Sequence, residues 1–151
     1  MSRIELATEI STTPNEIFVF FVPQRMPLWY GAEMDARFEV QSGAPDFSVG
    51  QKVRIAGKLR QHDVALTVVV TAYQWEHHLE WQFQDSYLVR GMQRWDLRSR
   101  GSATIVTMRD EYTMPTTLGK ILDRFVTRRG VTMRDQSWLT RLKRFAERPE
   151  K

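Results

Sequence analysis

The stretch QKVRIAGKLR, residues 51–60, decides how the rest of the chain is read. Val53, Ile55, Gly57 and Leu59 fall on one side of an extended backbone, while Lys52, Arg54, Lys58 and Arg60 fall on the other. Alternation of this kind marks a strand with one buried and one wet face. The same period recurs on both sides of it. Upstream, Met34, Ala36, Phe38 and Val40 share a face over 34–41, and a loop over 42–50 carrying Gly43, Pro45 and Gly50 follows. Downstream, after Gln61 and His62, residues 63–75 place Leu66, Val68, Val70 and Ala72 on the inner face. Residues 78–84 group Leu79, Trp81 and Phe83. After a turn at Asp85 and Ser86, residues 87–98 set Tyr87, Val89, Gly91, Gln93, Trp95 and Leu97 against Arg90, Arg94 and Arg98. Arg100, Gly101 and Ser102 then make the last hairpin, into a strand over 103–114.

The two ends read differently. Ile4, Leu6 and Ile10 recur at period two, so residues 3–10 form a first strand. Thr12, Thr13, Pro14 and Glu16 supply a hydroxyl cap, a first-turn proline and an early acid, which together start a helix. Residues 17–22, IFVFFV, are apolar on nearly every side and predict a short, covered helix. Pro23 and Pro27 break it, and Met26, Leu28, Trp29 and Tyr30 predict a second partial turn. At the other end, Tyr112, Thr113, Met114 and Pro115 hand over to a helical pattern reaching Glu147. Such a helix would be roughly 48 Å long at about 1.5 Å per residue. Short turns between consecutive strands imply an antiparallel meander, and one apolar face per strand implies a sheet wet on a single side. The expected class is α+β: a curved antiparallel seven-stranded sheet wrapped around a long C-terminal helix, with short helices after the first strand. With no repeat or linker, residues 1–151 read as a single domain.

Composition narrows the function classes. With 42% hydrophobic and 11% aromatic residues the chain has an ordinary globular make-up. It has no cysteine, which excludes disulfides and thiolate metal sites. The start MSRIEL lacks the apolar core of a signal peptide, and no run approaches the roughly 18 apolar residues of a membrane span. A soluble, cytoplasmic protein is expected. The net charge is +4, unevenly placed: residues 116–151 carry ten Lys and Arg against four acids, a balance of +6. That excess reads first as a solvated helix face, and otherwise as an attraction for anionic membrane, RNA or an acidic partner.

Several short motifs together resemble the START/Bet v 1-like superfamily, also called the SRPBCC or polyketide cyclase/dehydrase group. The run from Ile10 through Pro14 to Phe18 is similar to that family's approach to its first helix, and Trp29 stands where a tryptophan commonly follows it. Val49-Gly50 resembles its V-G turn, and GSATIVT at 101–107 its G-x-T-x-V-T hairpin. Tyr112 to Pro115 resembles the exit into the long helix, and LTRLKRFAE at 139–147 its usual end. The likeness covers almost the whole chain. It implies a helix-grip fold with a cavity between the concave sheet face and the long helix, used for apolar or amphipathic ligands.

By the strand phases, the lining would include Phe38, Val53, Ile55, Val68, Val70, Trp81, Phe83, Trp95, Met108 and Tyr112. The helix would add Leu118, Leu122, Phe125 and Met133, and Trp29 and Tyr30 would sit at the mouth. Asp110 shares a face with Val106, Met108, Tyr112 and Met114, and Gln93 shares one with Trp95, so both polar groups are expected to point inward. Arg128 or Arg129 is expected to reach toward them, as an ion pair to the helix or as part of a ligand anchor. Buried polar groups need partners, which makes these positions the informative ones.

Catalytic motifs are scarce. His62, His77 and His78 lie at turns, and nothing completes an H-E-x-x-H pattern, so no metal is expected. No glycine spacing matches a phosphate-cradling loop and no G-x-S-x-G elbow is present, so no cofactor is expected. Three readings of function remain. The first is a non-enzymatic binder or carrier of a hydrophobic small molecule such as a lipid, quinone or polyketide-like compound. The second is an enzyme similar to the aromatase/cyclases, with Asp110, Tyr112 or His78 moving protons. The third is an interaction module that uses the basic C-terminal helix, without specific DNA binding. Monomer and homodimer are both open.

Overall fold

Period-two alternation becomes seven strands in a computed structural model that describes residues 1–59, 61–116, 119 and 127–148. They are β1 (Ser2–Ile10), β2 (Arg37–Val40), β3 (Lys52–Leu59), β4 (His62–Gln74), β5 (His78–Asp85), β6 (Arg90–Arg100) and β7 (Ala103–Thr113). All neighbours pair antiparallel, in the order β1-β7-β6-β5-β4-β3-β2. The sheet is curved, and a helix, α2 (Arg128–Ala146), lies on its concave side. This is a helix-grip fold of the α+β class. The described helix is about 28 Å long at 1.5 Å per residue. The N-terminal part of the expected helix, with Leu118, Leu122 and Phe125, lies outside the described residues, as does Arg60.

Turn chemistry sets the register. Gly101 has φ +62° and shares a two-residue turn with Ser102, which pairs Arg100 with Ala103. A tight turn fixes every later pairing, so Gln93 falls opposite Asp110. On the outer sides of this pair, Ile4 meets Asp110 and Trp81 meets Gln93. Along β7 the burial alternates without a break, with Thr104, Val106, Met108, Asp110 and Tyr112 all inside.

Local backbone geometry corrects the sequence reading in four places. The first helix, α1 (Pro14–Phe18), is capped by Thr13, whose Oγ1 accepts the Glu16 N–H at 3.3 Å. It stops at Phe18, and residues 19–25 continue as turns. Gly31 (φ +70°) and Asp35 (φ +50°) are left-handed, so Met34 sits in a 3-10 turn and β2 begins only at Arg37. The carbonyl of Met34 lies over β3, where a Cβ on Gly57 would come within 2.4 Å of it. In β4 a bulge between Val70 and Ala72 shifts the phase, because one extra residue flips the faces beyond it. Tyr73, not Ala72, therefore joins the core, its ring tilted against Phe18 and edge-on to Phe47, and its hydroxyl donates to Phe21 O at 3.2 Å. Leu88 is left-handed (φ +65°), which leaves Tyr87 in an exposed turn ahead of β6.

The helix is clamped to the first strand and the turns. Its buried stripe is Asp135, Leu139, Leu142 and Ala146, with Trp138 beside it. Arg128 donates to Arg3 O at 2.7 Å, and Lys143 to Glu9 O at 2.8 Å and Glu147 at 2.7 Å. Glu147 also accepts the Ser11 N–H at 2.8 Å. Part of the basic excess of the C-terminal segment is thus engaged inside the chain.

Candidate functional site

The concave face is filled at one end and hollow at the other. At the filled end the turns after α1 fold Trp29 inward, where its indole N–H meets Phe20 O at 2.9 Å. Its ring packs on Phe21, Tyr30 and Trp95 with centroids 5.1 to 6.0 Å apart. Trp29 is fully buried, so it does not stand at a mouth. Val53, Ile55, Val68, Val70, Trp81, Trp95 and Met108 are also packed core residues, not lining. Phe38 packs on Tyr30, Phe47 and Trp81, and is likewise part of this cluster.

Toward the other end, a partly open space of about 270 Å³ lies between the sheet and α2. Its apolar walls include Met34, Leu59, Val64, Leu66, Phe83, Val89, Tyr112, Met114, Val131 and Trp138. Of the residues expected from sequence, Tyr30, Phe83, Gln93, Asp110 and Tyr112 border it. Met133 is 66% exposed and points away from the helix's buried stripe. His78 opens β5 opposite Asp96 and Gln74, outside the cavity, so the three catalytic candidates are not assembled. Broader depressions on the outside, such as the one around Lys52, Gln82 and Arg90, are open grooves.

One wall of the cavity carries a polar network. Gln93 Oε1 accepts the Tyr30 hydroxyl at 2.7 Å and the Trp81 indole N–H at 2.9 Å, and its amide faces Asp110 Oδ2 at 3.4 Å. From the helix, Arg134 Nη2 lies 3.1 Å from both Asp110 Oδ2 and Asp135 Oδ1. Arg134, not Arg128 or Arg129, is therefore the helix base that reaches Asp110. Its guanidinium stacks 4.4 Å above the Trp138 ring, and the Trp138 indole N–H donates to Glu33 at 2.8 Å. Two turns of helix separate Val131 from Trp138, with Arg134 between them on the same face.

Burial sets the protonation of this network. Asp135, fully buried, is pushed up to about 9 by loss of solvent, with the Arg134 charge opposing and Asp110 adding to the rise. Burial also raises the Tyr30 hydroxyl well above its ordinary value, which keeps it a donor. Burial works against the charge of Arg134, but Asp135 and Asp110 carry it above the usual guanidinium range. Neither Asp135 nor Trp138 stands out in strand phases. The available signal was the helix stripe itself: Asp135 occupies an apolar position with Leu139, Leu142 and Ala146, where an unpaired acid is costly.

Among the described residues no three His, Asp or Glu side chains come together as a metal site. No described helix is long and apolar enough to cross a membrane.

No protein-family profile matches the chain, and no curated protein matches it by sequence. Solved structures do match. DynU16, a protein of the dynemicin biosynthetic locus, superimposes with a TM-score of 0.71 at 14% identity, over 97% of this chain and 48% of its own. The chain thus spans about half the length of DynU16. A protein from Mesorhizobium loti gives 0.73 at 16% identity, over 99% of this chain and 100% of that one. One from Arthrobacter aurescens gives 0.76 at 13% identity, over 99% and 88%. At these identities the likeness is one of fold.

Proposed function

We propose that the protein is a START/Bet v 1-like (SRPBCC) binder of a small, largely apolar molecule, held between the sheet and α2. The observation that carries this reading is the cavity: about 270 Å³, apolar on most sides, with a fixed polar wall of Gln93, Asp110 and Arg134. Ligand sites are apolar hollows with a few placed polar groups, and this one lies just below their usual range of roughly 300–1,000 Å³. Enclosure supplies the affinity, at about 25 cal/mol per Å² of apolar area buried, and the polar wall sets orientation. The matching solved structures support the fold on which the reading depends.

Naphthalene, titrated while tryptophan fluorescence is read, tests the reading because Trp138 borders the space. Saturable quenching is expected, and Leu66→Trp, which fills the cavity from β4, should weaken it at least about tenfold, or 1.4 kcal/mol, without lowering the melting temperature. Native mass spectrometry of freshly purified protein, followed by solvent extraction, identifies any copurified guest. A titration without saturation would sink the proposal.

A second reading is favoured by one arrangement: Asp110 and Tyr112 both border the cavity. In that reading the protein is an aromatase/cyclase-like enzyme in which Asp110 exchanges a proton with a polyketide-type substrate. DynU16, from a biosynthetic locus, has the same fold. Asp110→Asn would then abolish turnover while leaving substrate affinity nearly unchanged.

A further inference from the structure

The wall of the cavity holds more acid than base. Among the described residues Glu33, Asp85 and Asp110 border it, against Arg134. Two of the three acids are answered nearby. Glu33 accepts from the Trp138 indole and stands 3.9 Å from Arg141. Asp85 Oδ1 accepts the N–H groups of Tyr87 and Val89 at 2.8 and 3.0 Å. Asp110 is different. It is 1% exposed, its only basic contact among the described residues is Arg134 Nη2, and the same Nη2 serves Asp135, which is 0% exposed.

One guanidinium therefore faces two buried carboxyls. A second uncompensated charge in such a place is very costly. The two carboxyls meet at that one nitrogen, each 3.1 Å from it, and each keeps one oxygen without a partner, Asp110 Oδ1 and Asp135 Oδ2. A proton on one of the two carboxyls cancels the excess charge. Anything cationic that reaches Asp110 from the cavity does the same.

We propose that the guest is a small aromatic or alkyl amine, bound as its ammonium, which donates to Asp110 and takes the place of that proton. The inference rests on the binding reading above and names its ligand class. The charges balance in both states. Without the guest, one carboxylate faces Arg134 and its neighbour carries the proton. With it, two carboxylates face a guanidinium and an ammonium, and the proton leaves to solvent. Charge-assisted hydrogen bonds of this type are about twice as strong as neutral ones. The rings of Tyr30, Phe83, Tyr112 and Trp138 border the space and give the apolar part of such a guest its surroundings. An anionic guest would instead add a further negative charge beside Glu33, Asp85 and Asp110.

Calorimetric titration of the wild-type protein with benzylammonium, benzyl alcohol and benzoate tests this, with naphthalene as the control for the cavity itself. Among the described residues, the ionisable groups around Asp110 and its cavity are Tyr30 and Glu33 from the turns after α1, Asp85 from the β5–β6 turn, Tyr112 from β7, and Arg134, Asp135 and, beside Glu33, Arg141 from α2. Benzylammonium should bind at least about tenfold more tightly than the alcohol, a difference of roughly 1.4 kcal/mol, and benzoate most weakly. Its affinity should rise close to tenfold between about pH 6.5 and 7.5, the linkage for one released proton. Buffers of different ionisation enthalpy should report that proton. Asp110→Asn should bring benzylammonium to the level of the alcohol. If the alcohol or benzoate binds as tightly as the amine, or if affinity is flat with pH, the ligand class is overturned while the cavity reading stands. The class also falls if naphthalene binds and none of the three does. If naphthalene fails as well, both readings fall together.

Discussion

The two ends of the concave face use the same residue types for opposite purposes. At one end Trp29, Trp81, Trp95 and Phe21 meet ring to ring at 5.1 to 6.2 Å and leave no room. At the other, Phe83 and Tyr112 flank Gly91, which pairs with both and offers no side chain between them. A Cβ there would lie 1.8 Å from the Glu111 carbonyl, so the strands themselves demand glycine. Aromatic content alone thus says nothing about whether a hollow forms. What decides is whether each ring meets another ring or a gap along its row of the sheet.

The largest expected effect lies at the filled end. Trp95→Ala removes a fully buried ring from the centre of the cluster and should cost about 3–5 kcal/mol in chemical denaturation. A loss under about 1 kcal/mol would mean that this end is also loosely packed.

The polar wall should respond to pH. The Asp135 carboxyl titrates near 3.8 in the unfolded chain and near 9 in the fold, so the native state binds the extra proton between those values. Its contribution to stability is therefore fullest below the lower value and declines as pH rises toward the upper one, by up to about 1.4 kcal/mol per unit. Asp135→Asn, which cannot ionise, should flatten that decline, so that the variant gains on wild type between about pH 5 and 8 in parallel melts. Parallel curves would show that no proton is held there.

The smallest effect is expected on the hollow side. Val131→Ala enlarges a wall that already borders open space and should cost less than about 1 kcal/mol. A cost close to that of Trp95→Ala would erase the contrast between the two ends.

How much of this was legible follows the range of the forces. Strand order and phase were readable because alternation is local, and the inward aim of Gln93 and Asp110 followed from it. The reading failed where one residue broke the period. The bulge beside Thr71 swapped Tyr73 for Ala72, and left-handed Asp35 removed Met34 from its strand. Neither signal is strong in a side chain, since both depend on backbone angles set by packing. For the site, Asp110, Gln93, Tyr30, Phe83 and Tyr112 reached the cavity. The sequence offered no means of choosing Arg134 over Arg128, because that choice depends on the rotation of α2 against the sheet. Arg128 instead caps the Arg3 carbonyl.

The sequence by itself determined the antiparallel meander, the flanking helices and the side of each strand that turns away from water. Period and turn residues act within a few positions, so they survive without knowledge of the whole. Only the tertiary structure decided where the hollow lies and that two acids share one base. Both depend on where α2 settles across the sheet, a balance of contacts between residues as distant as Tyr30, Asp110 and Arg134.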